Sequence, residues 1–577
     1  MNAAPPGPGA DGVEEGKRLI RLASDRGLSL GERLAERLQR LAWGTPFHAM
    51  RLKGRHPLKL IAVPEDPFFG DVERGRALLE GMAFFQGELH EVEGIDFARP
   101  VWTRRFDDYL QSFAWLRDLS TVATRVHAAP VAEAIMRRWL AVHGEKVTDG
   151  AWRPDLWGRR ILFWTAHAPL ILSAPDLVYR SSVLHALARG ARHLDRSADR
   201  ALAGSARIAA WCGLLAAGLV MPGGDPRRAF GETGLRRALT QSLFDDGGVV
   251  SRSPAAQLDV IQLLTMLAET YATRRLEVPE FVLAARSRAV AALLGICHGD
   301  KGLASWQGSG PLAGETIEQI IEATGVRTRP LKQAREWGYQ RLAAGGAVLI
   351  MDAAPPPIAR VVEGGCASTL AFELSDGPDR IVVNCGGARA GLRQLPTELT
   401  EGLRTTAAHS TLVVGDSNST AIHSDGTLGR GVVEVELARQ ETENGSRIEA
   451  SHDGYARRFG LLHRRVLAMS HDGRDVRGED MLLPADRRKR KGETGFAVRF
   501  HLHPQVEVTP TADGQAAILR TANGRLWQFR CKGGALAIED SVWIDGHGRA
   551  VPGRQLVITA ETPAGGANVS WLFHRAK

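Results

Sequence analysis

From about residue 17 to residue 340, apolar side chains recur with a helical period. Ile208, Trp211, Cys212 and Leu215 fall at i, i+3, i+4 and i+7, and Val260, Leu263, Leu264 and Leu267 repeat the spacing, so each set lays an apolar stripe along one helical face. Breakers such as Met221-Pro222-Gly223-Gly224-Asp225 and Phe244-Asp245-Asp246-Gly247-Gly248 separate the stripes. Roughly ten to twelve helices with short links, packed as antiparallel pairs, are expected. Near residue 345 the period falls to two. Short runs rich in Val, Ile and Leu (RIVVNC, STLVVG, AVRFHLH, RLWQFRC, RQLVITA, NVSWLF) alternate with Gly, Asp, Asn and Pro, which predicts an antiparallel sandwich. The pattern thus describes an α+β multidomain chain: a tail over 1–16, disordered by its Pro, Gly and acidic composition, a helical domain over 17–340, and a β domain over 345–577.

Composition narrows the class without identifying a chemistry. A 577-residue chain with 44% hydrophobic and 24% charged residues is long enough for several buried cores. Its formal charge of +8 and pI near 9.4 favour anionic partners. Five cysteines without a tight spacing, at 212, 297, 366, 385 and 531, suit a reducing compartment. The N-terminus lacks a basic start and an apolar run, and no stretch reaches the roughly 18 to 20 apolar residues of a membrane span. A cytoplasmic location is therefore expected. Ten of the thirteen tryptophans precede residue 340; they read as core packing, with sugar stacking as the rival use of their faces. The run Arg487-Arg488-Lys489-Arg490-Lys491 reads as a solvated loop rather than a nucleic-acid patch. The chain has no Walker loop, GxGxxG after a strand, CxxC, HExxH or GxSxG, and nucleotide, zinc-protease and hydrolase readings lose support accordingly.

Candidate chemistry concentrates between Glu363 and Asp416, where two cysteines and His409 sit among at least three strand-like pieces. The pieces CASTLAFELS, VVNCGG, AAHSTLVV, HDGYARRFGLLHRRV, GEDML and RFHLHP, in that order after a helical half, resemble the heparinase II/III-like family, and within it a subgroup of uncharacterised bacterial members. WRPDLWGRRILFW, RHLDR and FDDGGVVSRSP are fainter echoes of its helical domain. The resemblance implies an (α/α) toroid followed by an antiparallel β-sandwich, with a polysaccharide site in the cleft between them. It also implies β-elimination on uronate-containing glycans. A base removes the proton beside the carboxylate, donors neutralise that carboxylate, and an acid protonates the leaving oxygen.

Carried over residue by residue, the resemblance is incomplete. The glutamate, tyrosine and histidine that relatives place after the Asp-Gly-Gly turn correspond to Ser251, Ala256 and Gln257, and the upstream Asn-His pair has no counterpart near Ser205 to Ala210. The family's His-x-His-x-Asp reads Gly364, Cys366 and Ser368. What remains as catalytic candidates is Tyr455, His452 and His409, with Arg252, His503 and Arg464 as substrate-binding candidates. Cys366 and His409, with Asn384 or Cys385, stand where relatives hold a structural metal, and such a set suits zinc; buried, inert cysteines are the competing reading. Adjacent Asn384 and Cys385 point to opposite faces, so one of them alone can look inward. The expected function is a lyase cleaving an acidic polysaccharide or oligosaccharide, with no nucleic-acid partner; the alternative is an inactive lyase fold that binds an anionic glycan or envelope polymer. Family analogy sets the periplasm or cell envelope against the cytoplasmic expectation.

Overall fold

A computed structural model describes residues 16–21, 45–148, 150–357, 364–387, 395–424, 426–485 and 493–576. Of the tail expected over 1–16, residues 1–15 lie outside the described residues, as does the basic run 487–491, while Gly16 begins a strand. Helices fill the chain from Pro46 to Thr324, interrupted by one hairpin, Met82–Phe85 with Glu88–Glu91. The two stripes singled out in the sequence fall on the helices Ser205–Val220 and Pro254–Thr273. Ile208, Trp211, Cys212 and Leu215 are all buried, and so are Val260, Leu263, Leu264 and Leu267.

Helix Ser205–Val220 is buried along most of its length, which explains its nearly continuous apolar sequence. It lies against helix Pro154–Ala166 through two facing glycines. A Cβ at Gly158 would stand 2.1 Å from the Ala209 carbonyl oxygen, and one at Gly213 would stand 2.3 Å from the Gly158 carbonyl oxygen. The backbones touch where no side chain fits. Trp139, Trp152, Trp157 and Trp164 pack edge to face, with Trp139 and Trp157 centroids 5.7 Å apart. All four are sealed from solvent. Their faces serve the core and are closed to a sugar.

The β half is two antiparallel sheets. The larger runs, edge to edge, through Gly16–Arg21, Glu434–Thr442, Gly445–His452, Leu461–Ser470, Asp475–Pro484, Ala567–Arg575, Leu526–Lys532, Ala516–Arg520 and Glu507–Pro510. Its first strand comes from the N-terminal stretch expected to be helical, and pairs Gly16 through Arg21 with Arg439 back to Glu434. The smaller sheet orders Ala535–Ile544, Ala550–Thr562, Thr494–Leu502, Asp379–Val383, Phe372–Asp376, Ala347–Asp352 and Tyr339–Ala344, and Leu412–Val414 pairs with Thr494–Leu502. The inner faces of the two sheets share one apolar core that includes Leu349, Phe372, Phe500, Leu467 and Trp571.

Strand Ala347–Asp352 shows how the halves join. Ala347, Leu349 and Met351 enter the core between the sheets, while Val348 and Ile350 join the core of the helices. Both of its faces are covered, so every position is buried, as for a strand enclosed on two sides. The smaller sheet is the middle layer, and its outer surface is pressed against helices. Among the described residues, no helix is long and apolar enough to cross a membrane.

Candidate active site at the junction of the two halves

Alternation along the middle-layer strands sends every second side chain toward the helices. Those positions are polar: Asp352 after Val348 and Ile350, then Glu373 and Ser375 between Phe372, Leu374 and the next turn. All three are fully buried. Buried polar groups persist where they are hydrogen-bonded, and here the helical half supplies the partners.

Asp352 accepts from Arg252 Nη2 at 2.5 Å and from Ser368 Oγ at 2.7 Å. The same guanidinium donates through Nε to the Trp337 carbonyl at 2.8 Å and through Nη1 to the Pro355 carbonyl at 2.9 Å. Gln307 continues the chain, donating to Ser368 Oγ at 3.0 Å and accepting from the Cys366 amide at 2.9 Å. A second knot is built on Glu373. One carboxylate oxygen meets His298 Nε2 at 2.8 Å; the other accepts from the Ser305 amide and from Asn384 Nδ2, at 3.1 and 2.9 Å. His298 Nδ1 lies 3.1 Å from Ser375 Oγ. A neutral imidazole satisfies this set by donating from Nε2 and accepting at Nδ1, and burial lowers the His298 pKa in keeping with that form. Three residues around these knots, Arg252, Gln307 and Leu370, hold positive φ angles of 56°, 47° and 65° without being glycine. Such backbone persists where surrounding contacts over-determine it.

His409 lies beside these two knots, close enough for the charges of Asp352 and Glu373 to act on it. Its Nδ1 lies 2.7 Å from the Thr405 carbonyl, so the proton sits on Nδ1 and the Nε2 lone pair is left available. Among the described residues, Nε2 has no hydrogen-bond partner. Burial lowers the pKa of this ring, and the charges of Asp352 and Glu373 oppose the shift. His409 is thus a neutral base candidate, 98% enclosed by its relative exposure of 2%.

The other sequence candidates lie elsewhere. His452 ends strand Gly445–His452 and Tyr455 follows in the turn, and both side chains are buried within the β half instead of reaching toward the helices. Tyr455 is buried between the sheets, where its hydroxyl donates to the Leu412 carbonyl at 2.9 Å and burial raises its pKa. His452 belongs to a buried relay: it accepts from the Gly454 amide at 3.1 Å, contacts His463 at 3.2 Å, and His463 contacts Asp480 at 2.8 Å. Arg465 and Trp571 complete the partners of Asp480. Arg464 is on the outer surface of the larger sheet, paired with Glu449. His501 and His503 share a side as alternation predicts, for they meet Ser541 and Trp543 on one strand. His501 is buried, while the half-buried His503 ring packs edge to face on Trp543 at 4.6 Å. Arg252, expected to hold a substrate carboxylate, already holds Asp352.

The zinc reading fares no better. Cys366 Sγ is buried near the Gly364 carbonyl at 3.6 Å. Asn384 faces Glu373, whereas Cys385 turns the opposite way to His501, and burial pushes the Cys385 thiol up to about 12. Among the described residues, no group of three or more His, Cys, Asp or Glu is placed to hold a metal.

Sequence reasoning missed His298, Glu373, Gln307 and Asp352. Glu373 carried a signal: one acid inside the apolar run LAFELSD must be buried and paired.

Helices joined to an antiparallel β half through a polar seam define a two-part fold that known proteins share. Residues 326–572 match the family model of the heparinase II/III-like C-terminal domain, which bears out the resemblance read from the sequence. Heparinase III shares the fold across 96% of this chain and 93% of its own, at a TM-score of 0.68 and 13% identity. The heparan sulfate lyase HepC of Pedobacter heparinus does so at a TM-score of 0.57 and 14% identity, covering 97% of this chain and 92% of its own. In sequence, the chain is similar to FtsZ-localized protein C of Caulobacter vibrioides, at 28% identity over 94% of this chain and 95% of that one.

Proposed function

We propose that this chain is a lyase-fold protein, an (α/α) toroid with a β-sandwich, that binds an anionic glycan or envelope polymer without cleaving it and acts where FtsZ assembles. The observation that carries this reading is Gln257, which stands, as the sequence resemblance implies, where relatives carry a catalytic side chain. Its amide donates to the Gly247 and Ala289 carbonyls at 2.8 and 2.9 Å, and its oxygen accepts from the Val249 amide at 2.7 Å. It staples the Asp-Gly-Gly turn to its neighbouring helix and has no proton to exchange. Arg252 is likewise consumed by Asp352, so the carboxylate donor expected for an elimination is not free. The charge of +8 suits an acidic polymer. The extended likeness to an FtsZ-localized protein supports the place of action, and five buried free cysteines suit the cytoplasm.

Imaging a fluorescent fusion in its native host beside labelled FtsZ tests the place of action. The expected result is a midcell band coincident with FtsZ that disperses when FtsZ is depleted. A uniform distribution, or a band that survives depletion, overturns it.

A second reading, a lyase acting on a uronate glycan, is favoured by one observation: the His409 imidazole has its tautomer set by Thr405 and its Nε2 unengaged among the described residues. There His409 would be the base that takes the proton beside the uronate carboxylate.

A further inference from the structure

Far from the junction, the segment 52–61 folds back over helix Leu177–Ser197 and the start of helix Asp225–Ser242. The Ile61 amide donates to the Val220 carbonyl at 2.9 Å, and Arg192 donates to the carbonyls of Leu52, at 3.0 Å, and Arg55. Gly54 permits this, for a Cβ there would lie 2.9 Å from Arg192 Nη2. The fold-back borders an open pocket of about 240 Å³ whose lining includes Arg55, His56, Arg192, Arg227, Met221 and Pro222.

The charge of this pocket is unbalanced. Arg227 spends Nε and Nη2 on Asp195 at 2.9 Å each, leaving Nη1 over. Arg192 is satisfied by neutral carbonyls alone. The exposed Arg55 guanidinium has no ion pair among the described residues. Three guanidiniums thus face one carboxylate, and burial together with Arg227 lowers the pKa of Arg192. An entering anion with several acceptor oxygens would relieve that excess and take charge-assisted hydrogen bonds from the Arg55 guanidinium and from Arg227 Nη1, which is the chemistry of phosphate recognition. We propose that this pocket binds a phosphate group, borne by a lipid headgroup or free in solution.

The rim bears on the source. Met50 is 58% exposed and Leu58 86% exposed, and Lys53 and Lys59 are exposed beside them. Apolar tips interleaved with cations are what an anionic bilayer surface attracts.

Two measurements with the full chain test the assignment: flotation with vesicles of phosphatidylglycerol and phosphatidylcholine, against phosphatidylcholine alone, and calorimetric titration with inorganic phosphate. Arg55→Ala serves as the variant because the side chain is exposed and unpaired, and a melting temperature equal to that of the native chain verifies its fold. We expect binding in at least one arm, reduced about tenfold or more by Arg55→Ala, as loss of one charge-assisted phosphate contact implies, and largely retained by Arg55→Lys. Flotation without calorimetric binding assigns the headgroup; saturable binding of inorganic phosphate without flotation assigns the free anion. Binding in neither arm, or binding that Arg55→Ala leaves unchanged, overturns the proposal.

Discussion

Buried histidine is the most telling residue of this chain. His143 and His503 are held down to about 4, and His193 and His501 to about 3, chiefly by burial. An unfolded histidine takes its proton near ~6.5. Between those values the unfolded chain binds protons that the folded chain refuses, so stability falls as pH falls from about 7 toward 4. Each such ring contributes up to ~1.4 kcal/mol per pH unit within its window. Urea unfolding at pH 7.5, 6 and 5 is expected to show a steady loss. In His501→Gln the slope should shrink by close to one proton, whatever that substitution does to stability at neutral pH. An unchanged slope would mean that His501 is protonated in the fold. None of these burials was visible in the sequence. A histidine alternating with leucine in RFHLHP has the same pattern on a cleft wall and in a core, and only the partners Ser541 and Ala407 decide between them.

At the level of elements, periodicity read the chain well because covered faces leave a mark. Both helical stripes lie on helices, and the change to period two near residue 345 coincides with strands Tyr339–Ala344 and Ala347–Asp352. The N-terminal strand escaped notice, since six residues joined to a sheet more than 400 positions away carry no local sign of their partner. The glycine contact between helices Pro154–Ala166 and Ser205–Val220 gives a sharp prediction. Valine at Gly158 would drive its side chain into the Ala209 carbonyl and force the helices apart, and overpacking of this kind costs ~1–3 kcal/mol or more. Differential scanning calorimetry should find Gly158→Val melting several degrees lower, with a substitution of an exposed residue such as Arg327→Gln unchanged. Equal melting temperatures would contradict the close approach of the two helices.

For the whole molecule, the seam between halves is where fold and chemistry part company. Relatives of similar fold are named as lyases, yet here the helix-facing surface of the middle sheet is filled by Arg252 with Asp352 and by His298 with Glu373. Removing one member of such a buried pair costs ~3–5 kcal/mol, so these side chains act first as the bond between the halves. The motif order AAHSTL, HDGY and RFHLHP announced the family because those residues build the β core. It located the chemistry poorly for the same reason: Tyr455, His452 and His501 are buried and hydrogen-bonded within the β half, and among the described residues His409 keeps a ring nitrogen unengaged at the seam. The central claim, a lyase fold that binds without eliminating, is met most directly by incubating the purified chain with a panel of uronate polymers and following ultraviolet absorbance. The account predicts no rise with any polymer; a rise that His409→Ala abolishes would contradict it.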